Sequence, residues 1–160
     1  MKKDEILALL AERDVSYELM EHEAIFNMAE CAALCLPHPE AEAKNLFLCD
    51  DKKRNFFLVT LKGDKRLDLE AFRTAIGSRR LKFASEATLL ELLGLTPGSV
   101  TPFGLLNDGE GKVRFYLDSY FLDRLIECHP NDNSATVWLQ SRDLIALLEA
   151  SGHPTAFVTV

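Results

Sequence analysis

Two short apolar runs, Asn45-Leu46-Phe47-Leu48-Cys49 and Phe56-Phe57-Leu58-Val59-Thr60-Leu61, flank the polar stretch Asp50 to Asn55. Aromatic and branched residues in runs of this length, separated by turn-forming residues, predict two strands joined as a β-hairpin. A hairpin commits this part of the chain to antiparallel pairing. The rest of the sequence must then provide elements that complete a sheet and cover it.

It does so by alternating two periodicities. Ile6, Leu9, Leu10 and Arg13 recur at helical spacing behind a cap at Asp4. Tyr17 to Glu21 reads as a short strand. Asn27 can cap a second helix through Ala29, Ala32, Ala33 and Leu34, stopped by Pro37 and Pro39. Asp68 and Ser85 are expected to cap helices that end at Gly77 and Gly94, with the loop Leu95 to Pro102 following. Strands are predicted over 113–118, 125–128 and 135–139, divided by the turns Asn107-Asp108-Gly109 and Pro130 to Asn133. Ser141 would cap a last helix over Leu144, Leu147 and Leu148, closed by Gly152 and Pro154, before a final strand at 156–159. Hairpin-linked strands with interspersed helices predict an α/β fold with a single-domain mixed β-sheet surrounded by helices, not a doubly wound parallel one.

At 160 residues with no internal repeat, the chain suits one domain able to bury its own core. No apolar run approaches the roughly 20 residues of a membrane span, and Met1 to Glu5 leads into an amphipathic pattern rather than a signal-peptide core. A reduced cytoplasmic setting is the expectation, with no membrane and no DNA among its partners. The four cysteines, Cys31, Cys35, Cys49 and Cys128, form no C-x-x-C pair. Cys31 and Cys35 fall one helical turn apart with His38 following, but four-ligand zinc spacing is missing, so free thiols and no metal are expected. A net charge of −7 and a pI near 5.1 exclude a protein that coats nucleic acid, because phosphate affinity comes largely from Lys and Arg. Any RNA contact has to be local. Lys52-Lys53-Arg54, Lys62-Gly63-Asp64-Lys65-Arg66 and Arg79-Arg80-Lys82 are the clusters able to make one.

The signatures of nucleophile-elbow hydrolases, P-loop proteins, dinucleotide enzymes, zinc proteases and zinc deaminases are all missing. Less stereotyped candidates remain. Lys44, at the mouth of the first hairpin strand, is either a solvated edge residue or a fixed cation for a phosphate or developing oxyanion. Gly98-Ser99-Val100-Thr101-Pro102 is either an ordinary connection or a loop whose successive N–H groups cradle an anion or ester oxygen. His129, at a strand end before Pro130, is an acid/base group, a pocket wall or a turn residue. Spacing assembles no Ser/His/Asp or Cys/His triad.

Three strings occur in order: Ala43-Lys44-Asn45-Leu46-Phe47-Leu48, then Gly98 to Phe103 with Asn107-Asp108, then His129-Pro130 with Asn133-Ser134-Ala135-Thr136. Together they resemble the YbaK/ProX family of aminoacyl-tRNA editing domains, related to the insertion domain of bacterial prolyl-tRNA synthetases. The likeness runs nearly end to end, through Lys62 to Asp68 and the closing Ser-Gly-His-Pro. The Lys-Asn-Leu-Phe-Leu form is similar to the subgroup acting on alanyl-tRNA(Pro).

The resemblance implies a pocket between the lysine strand and the glycine–proline loop, and no cofactor. Lys44 would engage the terminal phosphate or ester region, and the amides of Gly98, Ser99, Val100 and Thr101, before Pro102, would hold the ester carbonyl. Asn45, His129 and Asn133 would line the aminoacyl side. The run His22 to Asn27 replaces a family His-Pro-Pro-x-x-Thr pattern and sets Phe26 and Asn27 at the pocket rim. The implied activity is trans-editing hydrolysis of Ala-tRNA(Pro), with proline excluded by size. The implied partners are the acceptor end of tRNA(Pro) and prolyl-tRNA synthetase. A deacylase for Cys- or Ser-tRNA, a non-catalytic tRNA- or synthetase-binding module, and a small-molecule pocket protein unrelated to tRNA are the alternatives.

Overall fold

The computed structural model describes residues 1–24, 29 and 36–160 of the chain. The expected hairpin is present as β2 (Ala43–Asp50) and β3 (Phe56–Lys62), antiparallel with Asn45 opposite Thr60 and Phe47 opposite Leu58. It forms the centre of a five-stranded mixed sheet. β4 (Leu81–Phe83) pairs antiparallel with the far end of β2, β5 (Val113–Asp118) runs parallel to β3, and β8 (Thr155–Val158) runs parallel to β5. The mixed sheet is accompanied by a second sheet, which the sequence did not separate from the first. In it β1 (Tyr17–Glu21), β7 (Ala135–Gln140) and β6 (Leu125–Cys128) pair antiparallel in that order.

Strand alternation sends the two faces of β2 and β3 into different cores. Phe47 and Leu58 join the larger one, with Ile6 and Leu10 of α1 (Lys3–Glu12), Ile126, Val137 and the Leu144–Leu148 face of the last helix. Leu48, Phe57, Val59 and Leu61 face the other way, against Phe72 of α2 (Leu69–Ile76) and Leu81.

Asp68 and Ser85 cap α2 and α3 (Glu86–Leu93), each accepting a backbone N–H, and Gly77 and Gly94 end them in the left-handed region. Two expected caps differ. α1 begins at Lys3, so Asp4 lies in the first turn while Glu5 reaches back to the Lys2 N–H at 3.1 Å. The last helix, α4 (Ser141–Ala150), is preceded by Gln140, and Ser141 points its hydroxyl at the Arg124 N–H instead. β4 has three residues, two of them exposed, which is too short a run to carry a periodic signal. Apart from Ala29, the expected second helix, with Asn27, Cys31 and Cys35, lies outside the described residues. Cys49 and Cys128 are buried free thiols. Among the described residues no helix is long and apolar enough to cross a membrane.

Candidate active site

The best-defined polar construction lies where β2 meets the glycine–proline loop. Asn45 shares the face of Ala43 and Phe47, pointing between the sheets. Its side-chain oxygen accepts the Thr60 hydroxyl at 2.6 Å, and its amide nitrogen donates to the Val100 carbonyl at 3.1 Å. A carboxamide offers an acceptor and a donor at one fixed separation, so it ties β3, β2 and the loop together. Thr60 is fully buried. Counting the hairpin register back from the turn would have found it opposite Asn45; nothing else in the sequence marks it.

The loop is held at both ends. Gly98 adopts a φ of 90°, a conformation that favours glycine. Ser99 is buried and directs both its N–H and its hydroxyl to the Thr96 carbonyl. Thr101 caps the turn Pro102–Asn107, and Asn107 donates to the Leu93 carbonyl at 2.7 Å, closing that turn against the end of α3. Among the described residues the N–H groups of Gly98, Val100 and Thr101 donate to nothing. Three amides in one pinned segment can hold a carbonyl oxygen or an anion.

Lys44 is half-buried and lies on the opposite face of β2 from Asn45, in line with Leu46 and Leu48. β4 pairs only with Leu48 to Asp50, so Ala43 to Leu46 have no strand beside them on that side among the described residues. Lys44 and the Asn45-bound loop therefore flank one stretch of open strand from its two faces. No hydrogen bond or ion pair to a described residue holds the Lys44 ammonium.

His129 follows β6 on the three-stranded sheet. Its Nδ1 lies 2.9 Å from the Ala135 carbonyl, which can only accept, so Nδ1 carries the proton and Nε2 is left as an acceptor. Burial pushes its pKa below the ordinary histidine value, nearby His22 adds to this, and the Ala135 bond and Asp132 oppose it. The ring is neutral at pH 7. His22, given no role by the sequence, has its centroid 6.5 Å away. Both its nitrogens are occupied, Nδ1 by the Glu23 carbonyl and Nε2 by the Thr136 hydroxyl, each at 2.7 Å. Asn133 is half-buried in the adjoining turn, where Asp132 accepts from Ser134.

Of the predicted site residues, Asn45 and Gly98 to Pro102 are thus joined directly, Lys44 borders the same strand edge, and His129 and Asn133 sit together on the other sheet. Phe26 and Asn27 lie outside the described residues. A groove of about 340 Å³ between Arg114, Tyr116, His153 and Thr155 contains none of them. Among the described residues no group of three His, Cys, Asp or Glu side chains could hold a metal.

Comparison with known proteins bears on the same segments. Residues 22–147 match the model of a family described as the aminoacyl-tRNA editing domain. The chain is 39% identical over 152 residues to a prolyl-tRNA editing protein ProX of Acetoanaerobium sticklandii, covering 94% of this chain and 93% of that one. It is 37% identical over 145 residues to a prolyl-tRNA synthetase associated domain-containing protein 1 of Mus musculus, covering 85% and 83%. Among solved structures, hypothetical protein APE2540 superposes with a TM-score of 0.73 at 24% identity, covering 98% of this chain and 99% of that one. A candidate trans-editing enzyme for prolyl tRNA synthetase does so at 0.72 and 21%, covering 99% and 96%. Those two likenesses bear on the fold alone.

Proposed function

The chain belongs to the aminoacyl-tRNA editing domain family, which makes it an aminoacyl-tRNA deacylase, and we propose that it releases alanine from mischarged Ala-tRNA(Pro) in trans. The observation that carries the reading is the Asn45 clamp on a loop with three amides free among the described residues. An aminoacyl ester is already activated, so hydrolysis asks mainly for positioning and for stabilisation of the developing oxyanion.

The loop amides would receive the carbonyl oxygen as water adds to the ester carbon. Lys44 would offset negative charge from the open edge of β2. His129, with Nε2 as an acceptor, would meet the α-ammonium group or the attacking water. Collapse of the tetrahedral intermediate breaks the bond to the ribose oxygen, which leaves as the tRNA hydroxyl and frees alanine. A ribose hydroxyl of the terminal adenosine would assist, which suits a site without a protein triad. Discrimination would be steric: a methyl side chain fits and the pyrrolidine ring of proline does not. A clash rejects more strongly than one missing methylene, worth about 1–3 kcal/mol. The names of the relatives also suggest prolyl-tRNA synthetase as a docking partner.

The test is release of labelled amino acid from Ala-, Pro-, Cys- and Ser-tRNA, with Lys44→Ala alongside. The expected result is rapid loss of alanine with proline spared, and a drop of at least 100-fold in Lys44→Ala, the scale of removing one oxyanion-stabilising group. Since no described residue pairs with Lys44, its stability should stay within about 0.5 kcal/mol of the parent. Cleavage of Cys- or Ser-tRNA in preference to Ala-tRNA would replace the substrate. Unchanged hydrolysis by Lys44→Ala would remove the lysine from the mechanism.

A further inference from the structure

The net charge of −7 leaves open how the chain holds an RNA at all. The fold sorts its three basic clusters unevenly. Lys65 of the 62–66 turn is neutralised by the fully buried Asp118 at 3.1 Å, and Lys62 lies 3.8 Å from Asp64. The other two clusters, remote in sequence, are brought together by the pairing of β4 with β2, which sets Lys82 opposite Cys49 and Leu81 opposite Asp50. Arg79 reaches across to Asp51 in the hairpin turn at 2.6 Å, leaving its neighbours Arg80, Lys52 and Lys53 exposed. Burial raises the pKa of the Cys49 thiol and the charges of Lys82 and Lys53 both oppose this, so the two ammonium groups lie near the same thiol.

An aromatic side chain stands within this patch. Phe83 is 61% exposed, although strand pairing would allow it to be covered. It lies opposite Leu48, on the same face of the sheet as Leu46 and Lys44. Along β2 the separation from Leu48 to Lys44 is about 13 Å, and from Asp50 to Lys44 about 20 Å. A stacked strand places one phosphate about every 3.4 Å, so the second distance corresponds to about six nucleotides. The β4 edge thus carries an exposed ring on the Lys44 face, Lys82 on the other face opposite Cys49, and the exposed Lys52, Lys53 and Arg80 around the hairpin turn, none of them ion-paired among the described residues.

We infer that the β4 edge is the surface on which the tRNA acceptor end lies, Phe83 stacking an unpaired base while Lys52, Lys53, Arg80 and Lys82 contact the phosphates behind it. This rests on the deacylase reading, since it takes the reacting ester to be at Lys44. A ring with cations around it is the arrangement by which single strands are held without base-specific hydrogen bonds. It also reconciles an acidic protein with an RNA substrate, because several exposed cations are gathered at one edge.

The experiment compares Phe83→Ala and the triple variant Lys52→Ala/Lys53→Ala/Lys82→Ala with the parent, using Arg66→Ala as control. Three readouts are taken: deacylation of full-length Ala-tRNA(Pro), deacylation of 3′-alanyl-adenosine, and affinity for uncharged tRNA as a function of salt. Phe83→Ala should lower kcat/KM on tRNA about 5- to 150-fold, the range seen when a base loses its aromatic partner. The triple variant should make the log–log salt slope of binding shallower by about two to three. Both should leave the alanyl-adenosine rate and the thermal unfolding midpoint unchanged, and Arg66→Ala should match the parent throughout. Variants that bind and deacylate tRNA like the parent overturn the surface, as does an equal loss on both esters. Failure of the parent to hydrolyse either ester counts against the deacylase reading instead, while the salt slope for uncharged tRNA still decides the surface.

Discussion

Asn45 has two partners, and its loss should be felt twice. Replacement by alanine strands the buried Thr60 hydroxyl and frees the Val100 carbonyl. A buried polar group left without a partner costs about 1–3 kcal/mol, to be read as a lower denaturant midpoint. If the loop amides hold the ester oxygen, kcat on the cognate ester should fall by at least tenfold while KM moves little, since the interaction lost belongs to the transition state. Stability lost without any change in kcat would separate the clamp from catalysis. Asn45→Asp is the sharper variant, because it turns the donor facing the Val100 carbonyl into a second acceptor.

At the scale of elements, the loop is only as well placed as the turn that follows it. Gly104 lies within that turn, and a Cβ there would come 2.5 Å from Cδ1 of Leu95, itself almost fully buried. The leucine cannot swing into solvent to make room. Gly104→Ala should therefore destabilise by about 1–3 kcal/mol, the range of overpacking, and lower the thermal midpoint accordingly. The turn's close packing on α3 should also pass the shift to Gly98–Pro102 and reduce activity. Neither Gly104 nor Leu95 is chemically distinctive in the sequence. Their contact exists because Pro102 starts a turn that brings Gly104 back under the end of α3.

Across the whole molecule, the two sheets meet around groups whose charge depends on the assembled fold. Glu127 of β6 is buried beside Trp138, and burial, with repulsion from Glu42, raises its pKa to about 7; Lys62 and His38 pull in the other direction. In the unfolded chain its value is the ordinary one near 4.5. The native state therefore binds the extra proton between those limits. Its contribution to stability is fully present below about pH 4.5 and is lost as the pH rises through 7. Glu127→Gln should flatten that dependence and stabilise the protein at pH 8 relative to the parent by up to about 3 kcal/mol, measured as denaturant midpoints at pH 5 and pH 8. His129 has the opposite sign. Its depressed pKa makes folding less favourable as the pH falls below about 6.5, so activity that needs the neutral ring should decline on the acid side.

Local chemistry in the sequence determined the hairpin, the caps at Asp68 and Ser85, the glycine stops at Gly77 and Gly94 and the mixed arrangement of strands and helices. Each depends on residues a few positions apart, so short-range patterns suffice. The ordered strings around Lys44, Gly98 and His129 likewise marked the family without any structure. What spacing could not determine is which of those residues meet. Asn45 reaches Val100 across 55 residues, Thr60 enters only through strand register, and adjacent Lys44 and Asn45 separate onto opposite faces because strand side chains alternate. The division into two sheets, and the meeting of Arg79–Phe83 with the hairpin turn, were likewise decided by tertiary structure. Strand order and β4 pairing are set by burial over the whole chain, not by any local preference.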